Sequence, residues 1–105
     1  MVSVPEGCLL IQAGKQLEYL TGGYIKAGFH EVVVSSKTVE AINEKIKMEQ
    51  SLWRVSSTFF SHAASDQILE PLGKYALEPT ALQYEPIEAG EQVRNELKEI
   101  ALGKG

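Results

Sequence analysis

The stretch Gly14-Lys15-Gln16-Leu17-Glu18-Tyr19-Leu20-Thr21-Gly22-Gly23-Tyr24-Ile25-Lys26-Ala27-Gly28-Phe29-His30 holds the sharpest change of direction in the sequence. Thr21-Gly22-Gly23 at its centre is a strong turn signal, because glycine enters left-handed backbone without a Cβ clash. Before the turn, Lys15 to Leu20 is compatible with one helical turn or with a short strand. After it, Tyr24 to Val34 reads as a strand pair or one bent strand, and the β-branched Val32-Val33-Val34 favours a pleated surface.

Upstream, Pro5-Glu6-Gly7 closes a lead-in turn from Met1, and Cys8-Leu9-Leu10-Ile11 is a short apolar run that reads as a buried strand ended by Ala13-Gly14. Downstream, residues 37–50 are mostly good helix formers. Val39, Ile42 and Ile46 share one helical face there, and Ser35 or Ser36 can cap the start. The charged remainder of this helix reads as a solvated cover. Leu52 to His62 returns to strand character. Side chains alternate along a strand, so Trp53, Val55, Ser57 and Phe59 fall on one face and Arg54, Ser56, Thr58, Phe60 and His62 on the other. Trp53, Phe59 and Phe60 read as core. Pro71, Pro79 and Pro86 break the chain, so Leu72 to Ile87 is expected to be irregular. A last helix carries Val93, Leu97 and Ile100 as its apolar stripe and stops at Gly103. The predicted order gives a thin sheet of about four strands. The two helices can cover one face, and the other lies open unless something else packs there.

Composition fits this reading. The chain has 105 residues, 44% hydrophobic and 23% charged, enough for one small domain and too ordered in character for a disordered tail. Its net charge of −4 argues against nucleic acid or an anionic membrane surface as the main partner. The single cysteine, Cys8, excludes an intramolecular disulfide and suits a reducing, cytoplasmic setting. Within an apolar run it reads as a small buried hydrophobe rather than a nucleophile. Met1 to Gly7 has no signal-peptide pattern, and no apolar run approaches the roughly 20 residues that span a bilayer.

The chemistry-bearing residues are few. Only His30 and His62 are imidazoles, and H-x-D, H-E-x-x-H and C-x-x-C are all missing from the sequence, as is a glycine-rich phosphate loop. A tight transition-metal site needs three or four protein ligands, so a self-sufficient one is not expected. The stretch from Gly14 to His30 resembles a segment of the isopenicillin N synthase-like branch of the iron(II)/2-oxoglutarate-dependent oxygenases. In that family a glycine, an acidic residue, a Thr/Ser-Asn-Gly turn and a lysine precede the distal iron-binding histidine. Arg54-Val55-Ser56 resembles the family's R-x-S motif, and Asp66-Gln67-Ile68-Leu69-Glu70-Pro71-Leu72 its following segment. The likeness runs from about Gly7 to Leu72.

The resemblance implies a mostly β fold: the C-terminal part of a double-stranded β-helix, or jelly roll, over residues 1–75, with a helical insertion at about 37–50. Residues 76–105 then form an irregular segment and a C-terminal helix. It implies that His30 ligates Fe(II). It also implies that Arg54 and Ser56 anchor the distal carboxylate of 2-oxoglutarate. A guanidinium meets a carboxylate through two parallel hydrogen bonds, and a hydroxyl two residues on projects from the same strand face. His62 matches no family ligand and reads as structural or exposed. The substrate class is a small organic molecule. The sequence departs from the family at Lys15, Gly22 and Glu31, and in a longer link from His30 to Arg54 that the inserted helix explains. Above all, it lacks the H-x-D pair that supplies the other two ligands. The expected consequence is a C-terminal fragment that is inactive alone, and that pairs with its N-terminal half or with a second copy through exposed strand edges. Two alternatives stand beside this reading. One is a non-catalytic interaction module on a degenerate oxygenase fold. The other is an oxidase that uses iron and oxygen without 2-oxoglutarate.

Overall fold

The computed structural model describes residues 4–102. In chain order its elements are helix α1 (Lys15–Leu20), helix α2 (Ser36–Lys47), strand β1 (Ile68–Leu69), two 3-10 turns (Gly73–Leu77 and Ala81–Gln83), strand β2 (Ile87–Glu88) and helix α3 (Ala89–Leu102). Contacts divide the described residues into two units, 4–28 with 61–102, and Phe29–Phe60.

In the first unit α1 is a short helix that ends at Thr21. The Thr21 hydroxyl donates to the Leu17 carbonyl at 2.9 Å and accepts the Ile25 N–H at 3.1 Å, so one side chain both closes the helix and starts the return. Gly22 and Gly23 follow at φ +54° and +80°. A Cβ on Gly22 would stand 2.8 Å from the Tyr75 carbonyl oxygen, a backbone atom that cannot swing aside, so this turn needs glycine for space as well as for dihedral angle. The Leu72 N–H donates to the Leu20 carbonyl at 2.9 Å and fastens the end of α1 to the chain beyond β1.

Strands β1 and β2 pair antiparallel, Ile68 opposite Glu88 and Leu69 opposite Ile87. The pairing runs into the start of α3, where the Ala89 N–H reaches the Gln67 carbonyl at 2.8 Å and the Gly90 N–H the Ser65 carbonyl at 2.9 Å. The core here is small: Leu69 and Ala89 are each 1% exposed, with Ala81 beside them. Glu18, Thr21 and Gln92 are buried in the same unit, so polar residues share the interior equally with apolar ones.

In the second unit α2 is an independent-looking helix with good ends. Ser35 and Thr38 form a reciprocal capping box, and Lys45 and Lys47 in the last turn oppose the negative end of the helix dipole. The chain on either side of α2 is extended. Within Phe29–Phe60 every residue except Thr38 is exposed.

Several expectations are overturned. The fold is not a jelly roll: the described residues contain a single sheet of two strands, each two residues long. The runs Cys8–Ile11, Tyr24–Val34 and Leu52–His62 form no strand. Their β-branched and aromatic residues do favour extended backbone, but a strand also needs a neighbour to complete its hydrogen-bond ladder, and none of these runs finds one. Without a second layer their side chains stay in water. Cys8 is exposed rather than buried, and Trp53, Phe59 and Phe60 are surface residues rather than core. The helix expected over 37–50 occupies Ser36–Lys47. In α3 the inward face is Ala89, Gln92, Val93 and Glu96, whereas Leu97 and Ile100 of the expected stripe are exposed. The stop expected at Gly103 and the start of the lead-in turn at Met1 lie outside the described residues. The part of that turn within them is closed by a 3.1 Å bond from the Cys8 N–H to the Pro5 carbonyl.

Candidate functional site

Two groups of residues come into question. The first is the set read from sequence. His30, Arg54 and Ser56 all belong to the Phe29–Phe60 unit, His30 on the extended chain before α2 and the other two on the extended chain after it. All three are exposed. The Arg54 guanidinium forms no ion pair among the described residues, where the one salt bridge joins Lys15 to Glu18. The alternation that puts Arg54 and Ser56 on one face depends on strand geometry, and no ladder fixes that geometry here. His62 belongs to the other unit and is also exposed.

The fit of iron can be tested on the donor set. An iron(II) oxygenase holds its metal with two histidines and a carboxylate on one face. Among the described residues no three His, Cys, Asp or Glu side chains stand where they could hold a metal ion together. The chain's own residues therefore do not fit an iron centre, and no reaction step follows from them alone.

The second group is a polar cluster inside the first unit, which sequence reading missed. Glu18 on α1 is buried. Its Oε2 accepts the Ala27 N–H at 2.7 Å, and its Oε1 accepts the Tyr84 hydroxyl at 2.8 Å. The Lys26 ammonium donates to the same Tyr84 oxygen at 2.9 Å, and Lys15 approaches Glu18 Oε1 at 3.5 Å. The Tyr84 ring meets Tyr19 edge to face, with centroids 5.3 Å apart. Burial pushes the Glu18 carboxyl up. The Ala27 N–H, the Tyr84 hydroxyl and the charge of Lys15 together outweigh it and hold Glu18 below its ordinary value. The hydrogen bond to Tyr84 raises Lys26.

With both carboxylate oxygens engaged, Glu18 is a poor candidate for moving a substrate proton. The arrangement instead fixes the return of the chain after Gly23, since Ala27, Lys26 and Tyr84 are all held by one side chain. Little in the sequence signals this. Glu18 and Tyr84 are 66 residues apart, and the turn after Thr21 says only that the chain reverses, not what it is fastened to.

No protein-family model, curated protein or solved structure matches this chain. No helix among the described residues is long and apolar enough to cross a membrane.

Proposed function

We propose that this chain is one part of an iron(II)/2-oxoglutarate-dependent oxygenase acting on a small organic substrate, and that it is not a competent oxygenase alone. The observation that carries the reading is the content of the Phe29–Phe60 unit. The histidine, arginine and serine of the resemblance all lie on it, and the apolar side chains around them, Phe29, Trp53, Val55 and Phe59, are each at least 87% exposed. Apolar side chains of that size are ordinarily covered when the protein is complete. In this reading a second polypeptide segment covers them and brings the other histidine and the carboxylate. His30 provides one imidazole nitrogen, and Arg54 with Ser56 binds the distal carboxylate of 2-oxoglutarate. The protein is then cytoplasmic, in keeping with its lone thiol.

A second reading, a non-catalytic interaction module, draws on one observation: the described residues assemble no group able to hold a metal.

Anaerobic titration with iron(II) and 2-oxoglutarate, followed by the visible charge-transfer band of the ternary complex, separates the two. The expected result is no band from the chain alone. In a preparation where the H-x-D segment is supplied, a band appears and is lost on His30→Ala or Arg54→Ala. A band from the chain alone that depends on both residues would overturn the claim of incompetence. A band that survives both substitutions in the completed protein would overturn the roles given to them.

A further inference from the structure

The Phe29–Phe60 unit leaves the rest of the chain at Gly28 and rejoins it at Ser61, and both feet are fastened to the same short stretch ahead of and within α1. At the outgoing foot the Gly28 N–H donates to the Ala13 carbonyl at 2.9 Å. The Gln12 side chain lies so close that a Cβ on Gly28 would stand 2.7 Å from its Nε2. At the returning foot the Ala63 N–H donates to the Gln16 side-chain oxygen at 2.8 Å. The other end of the Gln16 amide donates to Gln92 Oε1 at 3.3 Å, and Gln92, buried on α3, donates in turn to Glu96 at 3.2 Å. Next to this the Gly90 N–H holds the Ser65 carbonyl, where a Cβ on Gly90 would approach Ser65 to 3.0 Å.

Gln16 is chemically suited to this place. A primary amide carries an acceptor and two donors on one planar group. It can take a backbone N–H on one side while giving a hydrogen to a second amide on the other. A carboxylate would keep the first bond and lose the second, and an alanine would lose both.

We infer that Gln16 is the clasp of a hinged excursion: its amide pins the returning foot at Ala63 beside the outgoing foot at Gly28, and so sets how the 29–60 unit is held at its base. Gln92 is the positioning residue behind it, since its bond to Gln16 fixes the plane in which the Gln16 oxygen is presented. Opening the clasp frees the returning foot without touching β1, β2 or the Glu18 cluster. The inference rests on the hydrogen bonds at the two feet and is independent of the oxygenase reading, because it involves neither iron nor 2-oxoglutarate.

Amide hydrogen exchange on the full chain tests it, read at single residues by NMR. Gln16→Ala is expected to speed exchange at the Ala63 N–H by about threefold to tenfold, the loss of one hydrogen bond of ordinary net strength, while Leu69 and the interior of α3 keep their protection. Gln16→Glu is expected to leave Ala63 protected, since the acceptor remains. Paired spin labels at Glu31 and Thr58, on a Cys8→Ser background, give the second reading. Their distance distribution is expected to broaden in Gln16→Ala and to broaden less in Gln92→Ala. Should Gln16→Ala fail to fold, Gln92→Ala carries the test by itself through its smaller broadening. Unchanged Ala63 exchange in Gln16→Ala, or a label distribution that is the same with and without the Gln16 and Gln92 amides, would overturn the inference.

Discussion

Glu18 has both carboxylate oxygens occupied and almost no contact with water. Replacing it by glutamine keeps one acceptor and puts an NH2 against another donor. Glu18→Gln is therefore expected to lower stability by about 1–2 kcal/mol near neutral pH, the scale for a hydrogen bond to a charged group. The pH dependence fixes the sign. The folded carboxyl sits below the ordinary value of 4.5, so Glu18 stabilises the fold fully above that value. Its contribution is lost as pH falls from 4.5 through the lower, folded pKa. Urea unfolding of both proteins across that window checks this: the gap between them should close on acidification. A gap that stays constant would mean that the charge of Glu18 does not matter. At this scale the glycine turn was legible, because the left-handed backbone at Gly22 and Gly23 is a local property of those residues. The Glu18–Tyr84 bond was not, because nothing local marks a partner so distant in sequence.

Among the elements, α2 can be read from its own residues because both of its ends are closed by its own chain. Ser35 and Thr38 satisfy the first turn. At the other end the Gln50 N–H returns to the Lys45 carbonyl and the Glu49 N–H to the Ile46 carbonyl, a Schellman pattern. The left-handed position of that pattern is occupied by Glu49 at φ +52°, where glycine is the usual residue. Two opposite predictions follow from one helix. Ser35→Ala should weaken it by about 1 kcal/mol through loss of the cap. Glu49→Gly should strengthen it by up to about 1 kcal/mol through relief of the left-handed strain, less the extra entropy glycine brings to the unfolded chain. Far-ultraviolet circular dichroism against temperature checks both, and equal or same-signed shifts would count against this account of the ends. The expected strands illustrate the converse. Val32-Val33-Val34 and Leu52 to His62 carry the composition of strands, yet a strand is a property of a pair, and these runs have no partner in the ladder. What the pattern expressed was a tendency to extend and to be covered; whether either is realised depends on atoms outside the run.

For the molecule as a whole, the same exposed runs imply association. Phe29, Val33, Trp53, Val55 and Phe59 lie in water on a unit whose charges cancel: Lys37, Lys45, Lys47 and Arg54 against Glu31, Glu40, Glu44 and Glu49. The chain's net charge of −4 therefore resides outside this unit, and little repulsion opposes bringing two such surfaces together. Each large aromatic ring can bury on the order of 150–250 Å², so a few of them exceed the roughly 300–600 Å² patch that a typical monomer leaves open. The unpaired backbone of the extended runs adds hydrogen-bonding capacity to the same surface. The isolated chain is thus expected to self-associate, with sedimentation velocity showing a rising weight-average coefficient as concentration increases. Sulfate should strengthen the effect, since it favours apolar burial. Trp53→Ser with Phe59→Ser should weaken it, and should leave the protection of Leu69 and Ala89 unchanged because those residues belong to the other unit. If a covering segment of a larger oxygenase is the natural occupant of this surface, its addition should compete with self-association and return the chain to a single defined complex. A strictly monomeric profile at every concentration would mean that these apolar side chains do not drive contact, and would remove the physical ground for placing a second polypeptide over His30, Arg54 and Ser56.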